Sequence, residues 1–138
     1  MSKKQIYITD SDMKRLKELV MVTRELGKED EEYLRELEGE LDRGKIVESK
    51  DIPNNVITMN SKVCLRDIDT QEEMVYWLVF PDDADPNQDK ISILAPIGTA
   101  LIGYKAEDII KWKVPDGIVK LKVKKILYQP EAAGDYHL

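Results

Sequence analysis

The sequence predicts an α+β protein in which a short N-terminal antiparallel helical hairpin precedes a C-terminal antiparallel β-sheet with one short helix. Up to residue 51, apolar residues recur at steps of three and four; beyond it they alternate with polar residues. The chain has 138 residues, which suits one domain or a small core with an appendage. We therefore expect a coiled-coil hairpin over residues 1–51 and a sheet domain over residues 52–138.

The first helix is predicted over residues 8–26. Leu16, Leu19 and Val20 recur at helical spacing, and Gly27 supplies a left-handed stop. Three residues near its start have side chains that cap helices: Thr9, Asp10 and Ser11.

The second helix is predicted over residues 29–44, where Leu34, Leu37 and Leu41 form a narrow apolar stripe and acidic residues occupy the first turn. Each arm would be roughly 22 Å long at the usual rise per residue. The outward positions are nearly all charged, and the stripe is wide enough to join one arm to the other. We therefore expect the hairpin to project from the sheet.

Five strands are predicted, over residues 56–68, 73–80, 90–94, 109–114 and 118–128. Residues 69–71 and 115–117 have the composition of hairpin turns, and a short helix is expected over residues 97–102. In the last two strands apolar residues occupy one face and lysines the other. This alternation slips near Lys125, which predicts a bulge or the end of regular pairing.

Composition limits the functional class. The net charge of −6 argues against a protein whose whole surface binds nucleic acid or anionic lipid. No apolar run approaches the ~20 residues of a membrane helix, and the first residues do not form a signal peptide. Cys64 is the single cysteine, so an internal disulfide is excluded. A cytoplasmic protein without membrane contact is predicted.

No residue pattern predicts catalysis, a metal or a cofactor. Four side chains alternate like the start of a calcium-binding loop: Asp83, Asp85, Asn87 and Asp89. Gln88 then occupies the position that requires glycine, and Leu94 the position of the bidentate glutamate, so a solvated connector is the better interpretation. His137 has no ligand partner at suitable spacing, and Cys64 lies in a strand without a neighbouring histidine.

The lysines of the last two strands form a candidate basic face. Its members are Lys111, Lys113, Lys120, Lys122 and Lys124. A solvated outer sheet face with protective edge lysines is one interpretation, and docking on a large charged partner is the other. No aromatic residues alternate with these lysines, as a platform for stacking RNA bases requires.

The segment ISILAPIGTALIGY, residues 91–104, is the most apolar part of the chain and turns a corner at Ala95 and Pro96. Proline is well suited to the first position of a helix, so the short helix begins here. Either this corner closes the core, or it is a docking surface.

Residues 90–128 resemble the C-terminal domain of the bacterial transcript-cleavage (Gre) factors. The resemblance covers a strand, a proline corner, a small helix, an acidic turn at Glu107 and Asp108, a Pro-Gly hairpin and a final strand. The short hairpin and the ending YQPEAAGDYHL are more similar to the Gre-like subgroup called regulators of nucleoside diphosphate kinase (Rnk).

The resemblance implies a coiled-coil hairpin joined to an FKBP-like domain that docks at the rim of the RNA polymerase secondary channel. It implies polymerase contacts by the corner residues Leu94, Ala95, Pro96, Ile97 and Gly98. It also implies a channel contact by the acidic hairpin tip, Glu29, Asp30, Glu31 and Glu32; in Gre factors such acids help to hold a catalytic metal.

Two departures from the Gre pattern shape the functional hypothesis. Leu94 and Ala95 replace polar residues before the corner proline, and the arms are about half as long as those of a Gre factor. A tip that stops short of the active site cannot place a catalytic metal. We therefore expect a non-enzymatic regulator that binds RNA polymerase near the secondary channel and competes with transcript-cleavage factors.

Two alternatives stay open at this point: an adaptor that binds a metabolic enzyme and regulates nucleotide pools, and an FKBP-like prolyl isomerase. The second rests on fold analogy alone. The expected partner is a protein, without sequence-specific nucleic-acid binding, and the expected state is a monomer or weak homodimer.

Overall fold

The computed structural model describes residues 5–27 and 31–135, apart from the side chain of Lys113. Its helices are α1 (Asp10–Leu26), α2 (Glu31–Arg43), α3 (Pro96–Leu101) and α4 (Pro130–Ala133). Its strands are β1 (Ile6–Thr9), β2 (Gly44–Val47), β3 (Lys62–Asp67), β4 (Glu73–Val79), β5 (Lys90–Ser92), β6 (Ile109–Val114) and β7 (Gly117–Tyr128). The predicted combination of a helical hairpin and a C-terminal sheet is confirmed.

The ends of α1 follow the predicted local chemistry. The side chain of Thr9 accepts a hydrogen bond from the backbone N–H of Asp12 at 3.0 Å, as an N-cap does. Gly27 has a φ of 63° and its N–H reaches the carbonyls of Thr23 and Arg24. The helix begins two residues later than predicted because Ile8 and Thr9 belong to β1.

Two short strands that the sequence analysis missed flank the hairpin. β1 and β2 pair in parallel, so the chain enters and leaves the hairpin through one two-stranded sheet. Ile6 and Ile8 of β1 are fully buried. β1 also lies against Gly103, where a Cβ atom would come within 2.7 Å of the Ile6 Cβ. This close approach fixes the base of the hairpin beside the end of α3.

The main sheet has five strands in the order β5-β4-β3-β7-β6. Every neighbouring pair is antiparallel except β4 and β5, which run parallel, so the prediction of an entirely antiparallel sheet is wrong at this edge. The connection over residues 80–89 contains two single 3₁₀ turns and carries the chain back along β4 before β5 begins.

The predicted irregularity near Lys125 is confirmed. In the pairing of β3 with β7, Leu65 lies opposite Val123 and Cys64 opposite Lys125, so Lys124 has no partner in the register. Leu127 is skipped in the same way one step later. These two bulges increase the twist of β7.

The hairpin lies against the sheet domain, so the expectation that it projects is wrong. Leu16 of α1 and Leu34, Leu37 and Leu41 of α2 are at most 2% exposed and belong to the same core cluster as the inner sheet face. The guanidinium of Arg15 stacks 4.2 Å from the centroid of the Phe80 ring. The narrow stripe therefore serves both pairing of the arms and packing on the sheet.

A short C-terminal helix, α4, was also absent from the sequence prediction. Gln129 precedes it and is buried, with its side-chain amide donating to the carbonyls of Pro53 and Val56 at 2.8 Å each. Its side-chain oxygen accepts from the N–H of Ala132 and caps the helix. One buried side chain thus ties the segment after the hairpin to the end of the chain.

Candidate functional site

The apolar corner is largely part of the core. Leu94 is 7% and Ile97 8% exposed, and Gly98 is buried. A Cβ atom on Gly98 would lie 2.2 Å from the carbonyl oxygen of Ser92, closer than non-bonded atoms approach. Three of the five predicted contact residues therefore hold the corner together from the inside.

Ala95 and Pro96 are the half-exposed residues of the corner. The backbone of Ala95 is extended, and Pro96 occupies the first helical position of α3, as predicted. The hydroxyl of Thr99 donates to the carbonyl of Ile93 at 2.7 Å, and the N–H of Leu94 donates to the hydroxyl of Ser92 at 3.0 Å. These bonds hold the exposed pair in a fixed position.

A groove of about 500 Å³ runs between α2 on one side and α3 with β6 on the other. Its apolar and aromatic lining consists of Tyr33, Pro96, Ala100 and Trp112, with Thr99 beside them. Charged side chains also border it, among them Arg35, Glu36 and Lys111. An aromatic floor with a charged rim is the composition of a protein-docking surface.

The hairpin tip is described in part, since Glu29 and Asp30 lie outside the described residues. Glu31 is exposed and its carboxylate pairs with Arg24 at 3.0 Å. Arg24 also bonds Glu38 on the next turns of α2 and holds the pKa of that carboxyl below its usual range. Glu32 is exposed. Arg24 of α1 therefore joins the two arms through Glu31 and Glu38.

A metal site is not formed by the described part of the chain. Within residues 5–27 and 31–135, no group of three or more histidine, cysteine, aspartate or glutamate side chains can hold an ion. Cys64 is a buried free thiol, and His137 lies outside the described residues.

The predicted basic face is the outer face of β6 and β7. Lys111 and Lys120 are exposed and lie directly opposite each other in the register. Lys122 pairs with Glu107 at 2.9 Å and Lys124 with Glu73 at 2.6 Å; the side chain of Lys113 lies outside the described part.

Glu73, the first residue of β4, is the carboxylate that Lys124 of this face contacts. It accepts from Lys124 and, at 2.8 Å, from Arg66. These two cations lower its pKa to about 2.

A buried carboxylate that the sequence analysis did not single out connects the hairpin to the sheet domain. Asp12 is 2% exposed and accepts a hydrogen bond from the N–H of Met59 at 3.0 Å. Burial raises its pKa to about 7, with a further contribution from the nearby Glu131. Glu131 itself accepts from the hydroxyl of Thr58 at 2.7 Å. The pairing of Asp12 with a residue far along the chain gave no local signal.

Comparison with known proteins defines the family. Residues 52–128 match the family model described as transcription elongation factor, GreA/GreB, C-term, and residues 4–47 match the model described as Rnk N-terminus. The chain belongs to the GreA/GreB family. The resemblance inferred from the proline corner, the hairpin turn and the chain ending is confirmed, including the likeness to the Rnk subgroup.

Three relatives place the chain within this family. It is 37% identical to a regulator of nucleoside diphosphate kinase from Escherichia coli (strain K12) over 139 residues, covering all of both chains. It is 42% identical to the transcription elongation factor GreA of Acetivibrio thermocellus over 91 residues, which cover 66% of this chain and 57% of that one. The solved structure of a prokaryotic transcription elongation factor GreA/GreB from Nitrosomonas europaea superposes with a TM-score of 0.74 at 36% identity, covering 90% of this chain and 100% of that one.

The described helices are all too short or too polar to cross a membrane. The relatives of this chain carry the names of transcription elongation factors and of a regulator of nucleoside diphosphate kinase. These names denote factors and a regulator rather than enzymes.

Proposed function

We propose that this protein binds RNA polymerase near the secondary channel through its C-terminal domain and competes there with transcript-cleavage factors, without cleaving RNA itself. The observation that carries the proposal is the match of residues 52–128 to the GreA/GreB C-terminal domain, since this region contains the fixed corner at Ala95 and Pro96. We also propose residues 1–51 and 52–138 as its two functional segments.

The groove beside Pro96 supports a protein partner. Ala95 and Pro96 are presented at the surface by a corner whose other members are buried, so they are available without loss of core packing. Tyr33 and Trp112 add aromatic surface in the same groove, and aromatic residues are enriched where proteins bind each other. Lys111, on its border, extends the contact toward the basic face.

The short hairpin supports the absence of cleavage. α1 has 17 residues and α2 has 13, so the arms extend about 26 Å and 20 Å respectively. Glu31, near the tip, is also engaged across the arms, since it is bonded to Arg24. Catalysis by a metal requires ligands placed close to the reacting atoms, and this hairpin instead occupies the channel entrance.

The test is binding of the full chain to core RNA polymerase, measured with and without a full-length Gre factor as competitor. We expect saturable binding that the competitor displaces, and a loss of at least about tenfold in affinity for Pro96→Asp, because a charge would enter the centre of the contact. Aspartate is tolerated in the first turn of a helix, so α3 should persist in this variant.

Pro86→Asp is the matched control. Pro86 also occupies the first position of a helical turn after an extended residue, and it is exposed on the far connection between β4 and β5. It should bind polymerase like the wild type. Absence of saturable binding at micromolar concentration, or equal loss in both variants, would overturn the proposal, and RNA cleavage above background would overturn the non-catalytic part of it.

A second candidate function is suggested by the name of the full-length relative, regulator of nucleoside diphosphate kinase. In this case the chain is an adaptor that binds a metabolic enzyme and changes nucleotide pools. Nucleoside diphosphate kinase activity, measured with the pure kinase and increasing amounts of this protein, separates the two functions. A saturable change in rate in the absence of polymerase supports the adaptor, and an unchanged rate rejects direct regulation.

A further inference from the structure

The outer face of the five-stranded sheet carries a cross-strand row that local sequence spacing does not reveal. Lys62 of β3 lies opposite Trp77 of β4 on one side and opposite Tyr128 of β7 on the other. The ring centroids of Trp77 and Tyr128 are 5.6 Å apart, and the Lys62 Nζ lies 5.5 Å from the Trp77 ring centroid. An aromatic pair therefore stands at one end of the face on which the lysines point outward.

Both rings remain partly accessible, and Tyr128 is held in place by its hydroxyl. Both are half-buried. The hydroxyl of Tyr128 donates to the carboxylate of Asp135, an interaction that raises the pKa of Tyr128 to about 12. A ring fixed by a hydrogen bond at its edge keeps its flat surface available for stacking.

The same face concentrates positive charge on a chain whose total is −6. Its described cations are Lys62, Arg66, Lys111, Lys120, Lys122, Lys124 and Lys125. Carboxylates also adjoin this face: Glu73 pairs with Arg66, Glu107 pairs with Lys122, and Asp135 accepts from Tyr128, with Glu131 near Tyr128 as well. Lys111, Lys120 and Lys125 are exposed at intervals along the face.

The helical layer lies on the opposite side of this sheet. The buried residues of α1, α2 and α3 pack with the inward side chains of the strands, among them Val63, Leu65 and Leu121. A second copy of the chain is a poor occupant of the outer face, since face-to-face pairing would set lysine rows against lysine rows. A strand of phosphates complements the lysines, and bases complement the rings.

We propose that the outer face of this sheet is a binding surface for single-stranded nucleic acid, with the lysines following the phosphates and the Trp77–Tyr128 pair stacking on bases. Binding is independent of sequence, because stacking and phosphate contacts do not read base edges. The proposal does not depend on polymerase binding, since the protein alone supplies the surface.

The first experiment measures fluorescence anisotropy of a labelled single-stranded RNA of roughly 12 nucleotides as the full-length protein is added at about 50 mM salt. We expect saturable binding whose affinity falls steeply as the salt concentration rises. A duplex of the same sequence should bind less tightly than the single strand. The triple variant Lys111→Gln, Lys120→Gln, Lys125→Gln should lose at least about tenfold in affinity, and its logarithmic salt slope should fall by about 2.

A matched triple variant controls for net charge. Lys14, Lys17 and Lys45 are also exposed but lie on α1 and β2, so their replacement by glutamine makes the same change in total charge away from the face. This control should retain affinity within about twofold. Equal losses in the two triple variants would overturn the proposal, because only general electrostatics would remain.

The second experiment tests stacking directly. In Trp112→Phe the remaining tryptophan is Trp77, and its fluorescence should be quenched as single-stranded RNA binds and should be unchanged by heparin, which has charge but no bases. Binding without quenching, equal quenching by heparin, or absence of RNA binding by the wild type would each overturn the assignment. Because no polymerase is present, failure here leaves the proposed function untouched.

Discussion

The two faces of the five-stranded sheet place carboxylates in opposite environments. On the inner side, Asp12 of α1 is buried, and removal from water raises its pKa to about 7 despite a hydrogen bond from the N–H of Met59. On the outer side, Glu73 stands in water between Lys124 and Arg66, and its pKa falls to about 2. Burial decides the first case and neighbouring cations decide the second.

The same contrast separates the two candidate surfaces. The corner is apolar, and most of it is used by the core, so that Ala95 and Pro96 remain for a partner. The lysine face is polar, and it remains exposed because the helices pack on the other side. An apolar segment is therefore a weak indicator of docking, since the core competes for the same residues.

The largest expected effect comes from the inner side, at Gly98. Gly98→Ala places a methyl group against the carbonyl oxygen of Ser92, a backbone atom that cannot move aside without displacing β5. We expect a loss of about 2–4 kcal/mol in the free energy of unfolding. Urea denaturation followed by circular dichroism measures it, and polymerase binding should fall with the displaced corner.

Gly39→Ala is the matched control for this change. Gly39 lies within α2, and a Cβ there would meet no atom within 4 Å. Alanine should therefore stabilise the protein by about 0.5–1 kcal/mol, because it restricts the unfolded chain and favours the helix. If the free energy of unfolding of Gly98→Ala is as high as that of Gly39→Ala, the corner is less tightly packed than the structure indicates.

The next effect concerns pH and Asp12. A raised pKa means that the folded protein binds a proton more tightly than the unfolded chain. The stabilising contribution of this proton is complete below pH 4 and is lost as the pH rises toward about 7. The full contribution is on the order of 4 kcal/mol, of which about 3 kcal/mol is lost between pH 5 and pH 8.

Asp12→Asn should remove this dependence, because the amide oxygen still accepts from Met59 without carrying charge. The free energy of unfolding, measured from pH 5 to pH 8, should decline in the wild type and stay nearly level in the variant. Glu131 and Arg15 also act on Asp12, so Glu131→Gln is a useful companion that should lower the Asp12 pKa in part. Parallel curves for Asp12→Asn and the wild type would show that Asp12 is not the titrating group.

Local signals were sufficient for most of the fold. Thr9 and Gly27 cap α1 through their own side-chain and backbone chemistry, and the alternation around Leu121 places the inner face of β7 correctly. The parallel pairing of β4 with β5 and the pair β1–β2 escaped prediction, because short strands carry little periodicity and their partners are set by tertiary contacts.

The candidate surfaces were harder to predict from the sequence than the fold was. The lysine face followed from strand alternation, but Trp77 and Tyr128 meet only because Lys62 lies opposite both of them. The burial of Leu94 and Ile97 depends on the packing of α3 against the sheet, which spacing alone does not determine. The expectation of a projecting hairpin was wrong for a related reason, since an apolar stripe that pairs two helices can also pack on the sheet domain.

The smallest expected effect lies on the outer face, at Glu73. Its carboxylate stays ionised in the folded protein down to about pH 2, so it adds nothing to the change in stability between pH 5 and pH 8, and Glu73→Gln should keep the wild-type slope in that range.

The same substitution releases Lys124 and Arg66 from their partner. If nucleic acid binds this face, the affinity for single-stranded RNA should rise about two- to threefold, because two cations become available to phosphates. An anisotropy titration of Glu73→Gln beside Glu18→Gln, an exposed acid on α1 with the same change in charge, separates release of the cations from the general charge effect. An equal rise in both variants would assign the change to net charge, whereas a rise confined to Glu73→Gln would identify the cations that contact the strand.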